Sequence, residues 1–175
     1  MTAIAMESFL IILLMLLNGV LAMAEMAVVS ARKVRLQQRV EQGDTGARVA
    51  LELASAPNGF LSTVQIGITL VGILAGAFGG ATMAEHLAAY LGQVPGLASS
   101  SKALGFGIVV VTITYLSLII GELVPKRLAL NNPEGIATML AKPMRVLSGH
   151  GVSGRAPVER LDRLGAASVR RTPQP

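Results

Sequence analysis

Three stretches of the chain stay apolar long enough to cross a lipid bilayer, and the polar residues inside them fall on helical stripes. Phe9 to Ser30 runs for 22 residues with one charge, Glu25. At ~1.5 Å per residue a helix of that length spans a hydrocarbon core of about 30 Å. Phe60 to Met83 carries no charge, and Ala103 to Gly121 is charge-free for 19 residues before Glu122. Between the first two spans the pattern turns amphipathic, divided by a Gly43-Asp44 turn. It predicts two helices lying against the membrane surface, with Ala50, Leu51, Leu53 and Ala54 supplying apolar contact and Pro57-Asn58-Gly59 ending the second. After the third span, Asn132-Pro133-Glu134 opens a short amphipathic segment at the interface, Gly135 to Leu147, broken by Pro143. Its apolar side carries Ile136, Met139, Leu140, Met144 and Val146, and its polar side Lys142 and Arg145. The fold class expected is an all-α membrane protein: three transmembrane helices plus short juxtamembrane amphipathic helices.

Composition strengthens this picture. A chain of 175 residues with 52% hydrophobic and 14% charged residues is too apolar for an ordinary soluble domain. Aromatic residues are scarce, at 3%, so the edges of the spans are marked by charge rather than by an aromatic belt. The net charge of +5 comes from cations placed beside apolar runs, not among stacking aromatics, which points to a membrane surface and away from nucleic acid. Arg32, Lys33, Arg35, Arg39 and Arg48 follow the first span, Lys126 and Arg127 follow the third, and the second loop carries one cation, Lys102. The positive-inside rule then puts the N-terminus outside and the C-terminus in the cytoplasm of a multi-pass plasma-membrane protein. The residues before Phe9 contain no Lys or Arg, so the first span reads as retained rather than as a cleaved signal. There is no Cys, and no Ser/His/Asp set, HExxH or phosphate-binding loop, so an enzyme is not expected. From Gly149 the chain holds five Arg and three Pro with few large apolar residues. Residues 1–148 thus read as the membrane domain and 149–175 as a disordered Arg-rich tail.

Candidate chemistry lies on the polar stripes. Asn18, Ala22 and Glu25 share one face of the first span, which should look at protein or water rather than lipid. On the second, Ser62, Gln65, Thr69 and Gly72 share a stripe fit for interhelical hydrogen bonds or ion coordination. Gly72, Gly76 and Gly80 repeat at the spacing that lets helices approach closely, and suit a dimer built on small-residue surfaces. At the end of the third comes Gly121-Glu122-Leu123-Val124-Pro125-Lys126-Arg127. Pro125 has no N–H and its ring clashes with the carbonyl four residues back, which frees the oxygen of Gly121. A free carbonyl beside a carboxylate is what hard-cation sites use in membranes; equally, Glu122 can simply cap the hydrocarbon region among headgroups. Lys126, four residues on, is a potential partner for Glu122 that Pro125 is expected to turn away.

LLNGVLAMAEMAVVSARKVRL, FLSTVQIGITL and GELVPKRLAL, in this order and spacing, resemble the transmembrane (DUF21) domain of the CNNM/CorC proteins, often labelled hemolysin-like. The resemblance runs from about Met6 to Leu147. It implies a homodimer of three-span subunits with an acidic, cytoplasm-facing cavity, and export of magnesium coupled to another cation, with cobalt resistance also associated. It implies bound Mg2+ between the spans, which carries over to Gly121 and Glu122, with Ser62 matching the second-span motif and Pro125, Lys126 and Glu25 as motif positions; in this chain Ser62, Thr69 and Asn18 are expected to complete the oxygen set. Two donors depart from the family: Ala22 stands where many members have serine, and Ile68-Thr69 stands where many have Asn-Asn. The competing class is a non-transporting membrane interaction or regulatory protein that keeps the fold. Full-length members continue into CBS modules and a small C-terminal domain; against that pattern the stretch from Gly149 is expected to be a truncation or a shifted frame.

Overall fold

The computed structural model describes residues 2–152, with side-chain surroundings for all of these but 2–4, 80, 81 and 150–152. The helices are α1 (Thr2–Ser30), α2 (Lys33–Glu41), α3 (Thr45–Ser55), α4 (Pro57–Leu91), α5 (Ser101–Leu118), a π-helical turn (Ile119–Leu123), α6 (Val124–Asn131) and α7 (Pro133–Val152), with no strand among the described residues. Three rods are long and apolar enough to cross a membrane: Ala5–Ser30, Pro57–Leu91 and Ser101–Asn131, the last made of α5, the π turn and α6 in line. Outward-facing Phe9, Ile12 and Leu16 on α1, Ile66, Leu70 and Ile73 on α4, and Phe106 and Val111 on α5 give these rods an apolar surface suited to lipid.

Helix α4 is longer than the apolar run that predicts it. Helix α3 stops at Ser55, as expected ahead of Pro57-Asn58-Gly59, and the same residues open α4, because proline is tolerated in a first turn where the missing N–H would be unbonded anyway. The 35 residues of α4 reach ~52 Å, beyond an ~30 Å hydrocarbon core, so α4 projects into the headgroup or water layer. At its far end α5 returns against it at very close range. A Cβ on Gly105 would lie 2.8 Å from the backbone nitrogen of Ala88 and 2.9 Å from the carbonyl oxygen of Ala84. Gly72 and Gly76, by contrast, meet nothing within 4 Å, so the small-residue repeat of α4 is not what packs the subunit; the surroundings of Gly80 lie outside the description.

The juxtamembrane helices form as expected but bury their apolar sides differently. Gly43 takes a left-handed φ of 88°, open to glycine at no steric cost, and Asp44 then caps α3 by accepting from the N–H groups of Gly46 and Ala47 at 2.9 and 3.1 Å. Ala47, Val49, Ala50 and Ala54 are buried, with Leu51 and Leu53 packed against the same core. That face is spent on protein, chiefly α7, rather than on the membrane surface. At Gly46 the two helices meet almost backbone to backbone, a Cβ there falling 2.6 Å from the Thr138 carbonyl oxygen.

Helix α7 is a second correction. It runs unbroken through Pro143 from Pro133 to Val152, past the expected end of the segment at Leu147. The lost hydrogen bond costs about 3 kcal/mol in an isolated helix. Burial of Ala137, Ala141 and Met144, with Ile136 and Leu140 beside them, offsets it; Met139 and Val146, expected on the apolar side, are exposed. Residues 153–175 of the expected tail lie outside the described residues. The start of α7 is tied down by Glu134, which is buried, accepts from the Arg32 N–H at 3.2 Å and has Arg35 at 3.8 Å. Arg145 adds an exposed pair with Glu52 at 3.1 Å. The basic segments after the first and third spans therefore share one end of the bundle.

Candidate functional site

Pro125 does not end the third rod; the chain absorbs it by widening one turn. From Ile119 to Leu123 the backbone is π-helical, and the N–H of Val124 donates to the carbonyl of Ile119, five residues back. One extra residue in the turn moves the Pro125 ring off the carbonyl it would strike, and α6 starts with proline in its first turn. Pro125 is buried against α1: a Cβ on Gly19 would lie 3.0 Å from the Pro125 Cγ. Gly121 answers from the other side, since a Cβ there would lie 3.0 Å from Asn18 Nδ2. Each segment thus presents a glycine to the other's bulk, which brings α1 and the π turn together.

The carbonyl freed at Gly121 is taken up in part. Asn18 Nδ2 donates to it at 3.1 Å. This leaves Asn18 Oδ1 buried with no hydrogen-bond partner in the protein, and the Gly121 oxygen with a second lone pair. One helical turn on, Ala22 is fully buried, and beyond it Glu25 reaches Lys126, whose Nζ lies 3.9 Å from Glu25 Oε2. The face of Asn18, Ala22 and Glu25 looks at protein, as its polarity predicts. Lys126 also donates to Glu122 Oε1 at 2.6 Å, so Pro125 does not turn it away. The π turn conserves helical direction, and an i, i+4 pair survives across the proline. Sequence reasoning missed the π turn; its signal was a glycine four residues ahead of a proline inside an apolar run.

The structure brings Asn18 onto Gly121, and Glu122 and Glu25 onto Lys126, but does not gather Ser62 and Thr69 with either pair. Both are exposed on α4 and donate to their own helix, Ser62 to the Asn58 carbonyl and Thr69 to that of Gln65, each at 2.9 Å. The π turn packs on α1, α5 and α6. Among the described residues no three His, Cys, Asp or Glu side chains are grouped to hold a metal ion. The oxygens at hand are therefore a carbonyl, an amide and two carboxylates. A cleft of about 710 Å³ at the other end of α4 and α5, with Glu85 and Lys102 on its wall, contains none of these residues.

Comparison with known proteins gives the same domain. The family model of the cyclin M (CNNM) transmembrane N-terminal domain matches residues 9–150. The chain is similar to UPF0053 protein sll0260 of Synechocystis, 52% identical over 84% of this chain and 33% of that protein. It is 33% identical to UPF0053 protein YhdT of Bacillus subtilis, over 76% of this chain and 29% of that protein. It is 30% identical to the polyamine export protein of Haemophilus influenzae, over 73% of this chain and 29% of that protein. The chain spans about a third of the length of these curated relatives. With a family match over most of its length and the three-rod membrane architecture that accompanies it, the chain belongs to the cyclin M transmembrane-domain family.

Proposed function

We propose that the chain is the membrane domain of a cation exporter, with Mg2+ as the cargo and Gly121-Glu122 at the point where it is held. The observation that carries this reading is the π turn, where Asn18 bonds the Gly121 carbonyl and keeps its own Oδ1 buried and unpartnered, while the neighbouring Glu122 shares Lys126 with Glu25. A carboxylate within a span costs roughly 2.5–3.5 kcal/mol at the helix centre, less near an end, unless a cation or donor offsets it. Irregular backbone inside a membrane is tolerated where it lines protein or a cavity, and the π turn is of that kind. Mg2+ sheds water reluctantly, so a site with this few protein donors would hold it partly hydrated and weakly, as an exporter requires. Ser62 and Thr69 retain outward lone pairs and would join through α4 of a second subunit. The test is Mg2+ flux from proteoliposomes holding this chain, beside Glu122→Gln. Flux equal in the two proteins would leave the non-transporting membrane protein as the better reading.

A second cargo, an organic polycation, is favoured by one observation. The primary ammonium of Lys126 already sits on Glu122 and Glu25, and a relative is named a polyamine export protein. Spermidine in place of Mg2+ in the same flux assay separates the two.

The reading includes a homodimer. The stripe of Ser62, Gln65, Thr69, Gly72 and Gly76 is exposed along α4, and a polar stripe on a spanning helix is better covered by protein than by lipid. Gly76→Leu is expected to leave the subunit's thermal unfolding unchanged, because nothing lies within 4 Å of the added Cβ, while lowering the dimer fraction in native mass spectrometry. An unchanged dimer fraction would place the interface elsewhere.

It also includes an outside N-terminus. Cysteine placed at Ser99, between α4 and α5, is expected to react with an impermeant reagent in intact cells, and cysteine at Gln42, between α2 and α3, only after permeabilisation. The reverse pattern would invert the topology.

A further inference from the structure

We propose that Lys126 is a tethered counter-cation: its ammonium holds the carboxylates of Glu122 and Glu25 when no cargo is bound, and it withdraws when a cation enters. The inference rests on the cation-export reading above and adds the residue with which the cargo must compete.

Lys126 Nζ lies 2.6 Å from Glu122 Oε1 and 3.9 Å from Glu25 Oε2, so one ammonium faces a carboxylate from the third rod and another from the first. The backbone below it is fixed, because Pro125 is buried against Gly19 and Ala129 is fully buried one turn on. The long side chain is not fixed in the same way. The Lys126 side chain is 27% exposed and that of Glu122 41%, so the pair opens toward the outside of the protein. A four-carbon stem carrying a point charge can swing to the headgroup layer without moving the helix.

Charge and distance make simultaneous occupancy unfavourable. Two carboxylates and one ammonium leave a net charge of −1; a divalent cation in addition makes it +1, and a divalent cation in place of the ammonium makes it zero. Mg2+ about 2.0–2.1 Å from Glu122 Oε1 would stand less than about 5 Å from an ammonium still bound to that oxygen, where like charges repel. Cargo and lysine therefore exclude one another. The exchange keeps Glu122 and Glu25 from facing a membrane interior uncompensated between transport events. It also lowers the affinity for cargo, which aids release.

Acetylation of lysine by an amine-reactive reagent, read residue by residue with mass spectrometry, follows the ammonium directly. In the wild-type chain, Mg2+ at a concentration that raises the unfolding temperature is expected to increase the acetylation rate of Lys126 severalfold, with Lys33, Lys102 and Lys142 unchanged. Lys126→Met is expected to bind Mg2+ severalfold more tightly, read from the midpoint of the thermal shift, and Lys126→Arg no more tightly than wild type. Mg2+ that stabilises the wild-type chain without changing Lys126 reactivity overturns the inference and leaves the export reading standing. If Mg2+ stabilises neither the wild type nor Lys126→Met, the export reading fails and the inference with it. Should Lys126→Met not fold, the acetylation result on the wild-type chain decides alone.

Discussion

Glu122→Gln is expected to remove the stabilisation of the chain by Mg2+ and to reduce Mg2+ flux to that of empty liposomes. Glutamine matches glutamate in shape and its amide oxygen still accepts from Lys126, so the substitution isolates the charge. In the cation-free protein the effect is small. The Glu122–Lys126 pair is partly exposed, at 41% and 27%, and such pairs contribute roughly 0–1 kcal/mol. Bound cargo is another matter: at a hundredfold excess over its dissociation constant it stabilises the folded state by about 2.7 kcal/mol, and all of that disappears if Glu122 is the principal charged donor. Thermal unfolding with and without Mg2+ checks this before any flux is measured. Equal stabilisation of the variant and the parent would move the site away from the π turn.

Gly105→Val is expected to separate α4 from α5 and to lower the unfolding temperature in detergent more than Gly107→Val does. The contrast comes from what the added atoms meet. At Gly105 a Cβ strikes the Ala88 nitrogen and the Ala84 carbonyl oxygen, backbone atoms that cannot rotate aside, whereas at Gly107 nothing lies within 4 Å. Overpacking usually costs about 1–3 kcal/mol, and the upper part of that range is expected where a helix axis must move. Without a hydrophobic drive between helices in lipid, close packing of this kind is much of what holds two spans together. Unfolding temperatures within a degree of each other for Gly105→Val and Gly107→Val, on the order of the shift from a few tenths of a kcal/mol, would refute the close approach.

Much of the fold was legible in the residues. Runs such as Phe9 to Ser30 leave a chain in lipid few options, because every backbone polar group there must be bonded within its own helix. The Gly43-Asp44 turn was equally plain, since a left-handed residue followed by a capping carboxylate is a local event that needs no distant partner. The ends of helices were less so. Pro57 reads as a breaker and serves as a first-turn residue, and Pro143 sits inside α7 because Ala137, Ala141 and Met144 are buried on either side of it. A proline's local cost is written in the sequence; the packing that offsets it is not.

At the candidate site the division is similar. Gly121, Glu122, Pro125 and the polar face of Asn18 and Glu25 could be picked out as residues out of place in an apolar span. What tertiary structure alone decided is how they meet. The π turn lets the rod continue through Pro125, so Lys126 stays on Glu122 instead of turning away. Gly19 and Gly121 admit α1 closely enough for Asn18 to bond the freed carbonyl and for Glu25 to share the lysine, while Ser62 and Thr69 remain on an exposed face of α4. Sequence by itself determined the three membrane spans, the basic end of the bundle and the residue types available to a cation, because hydrophobicity, charge and helical period are properties of single segments. Which oxygens face which ammonium was decided only when α1 and the third rod packed, because that depends on the steric fit of two glycines and a proline from segments about a hundred residues apart.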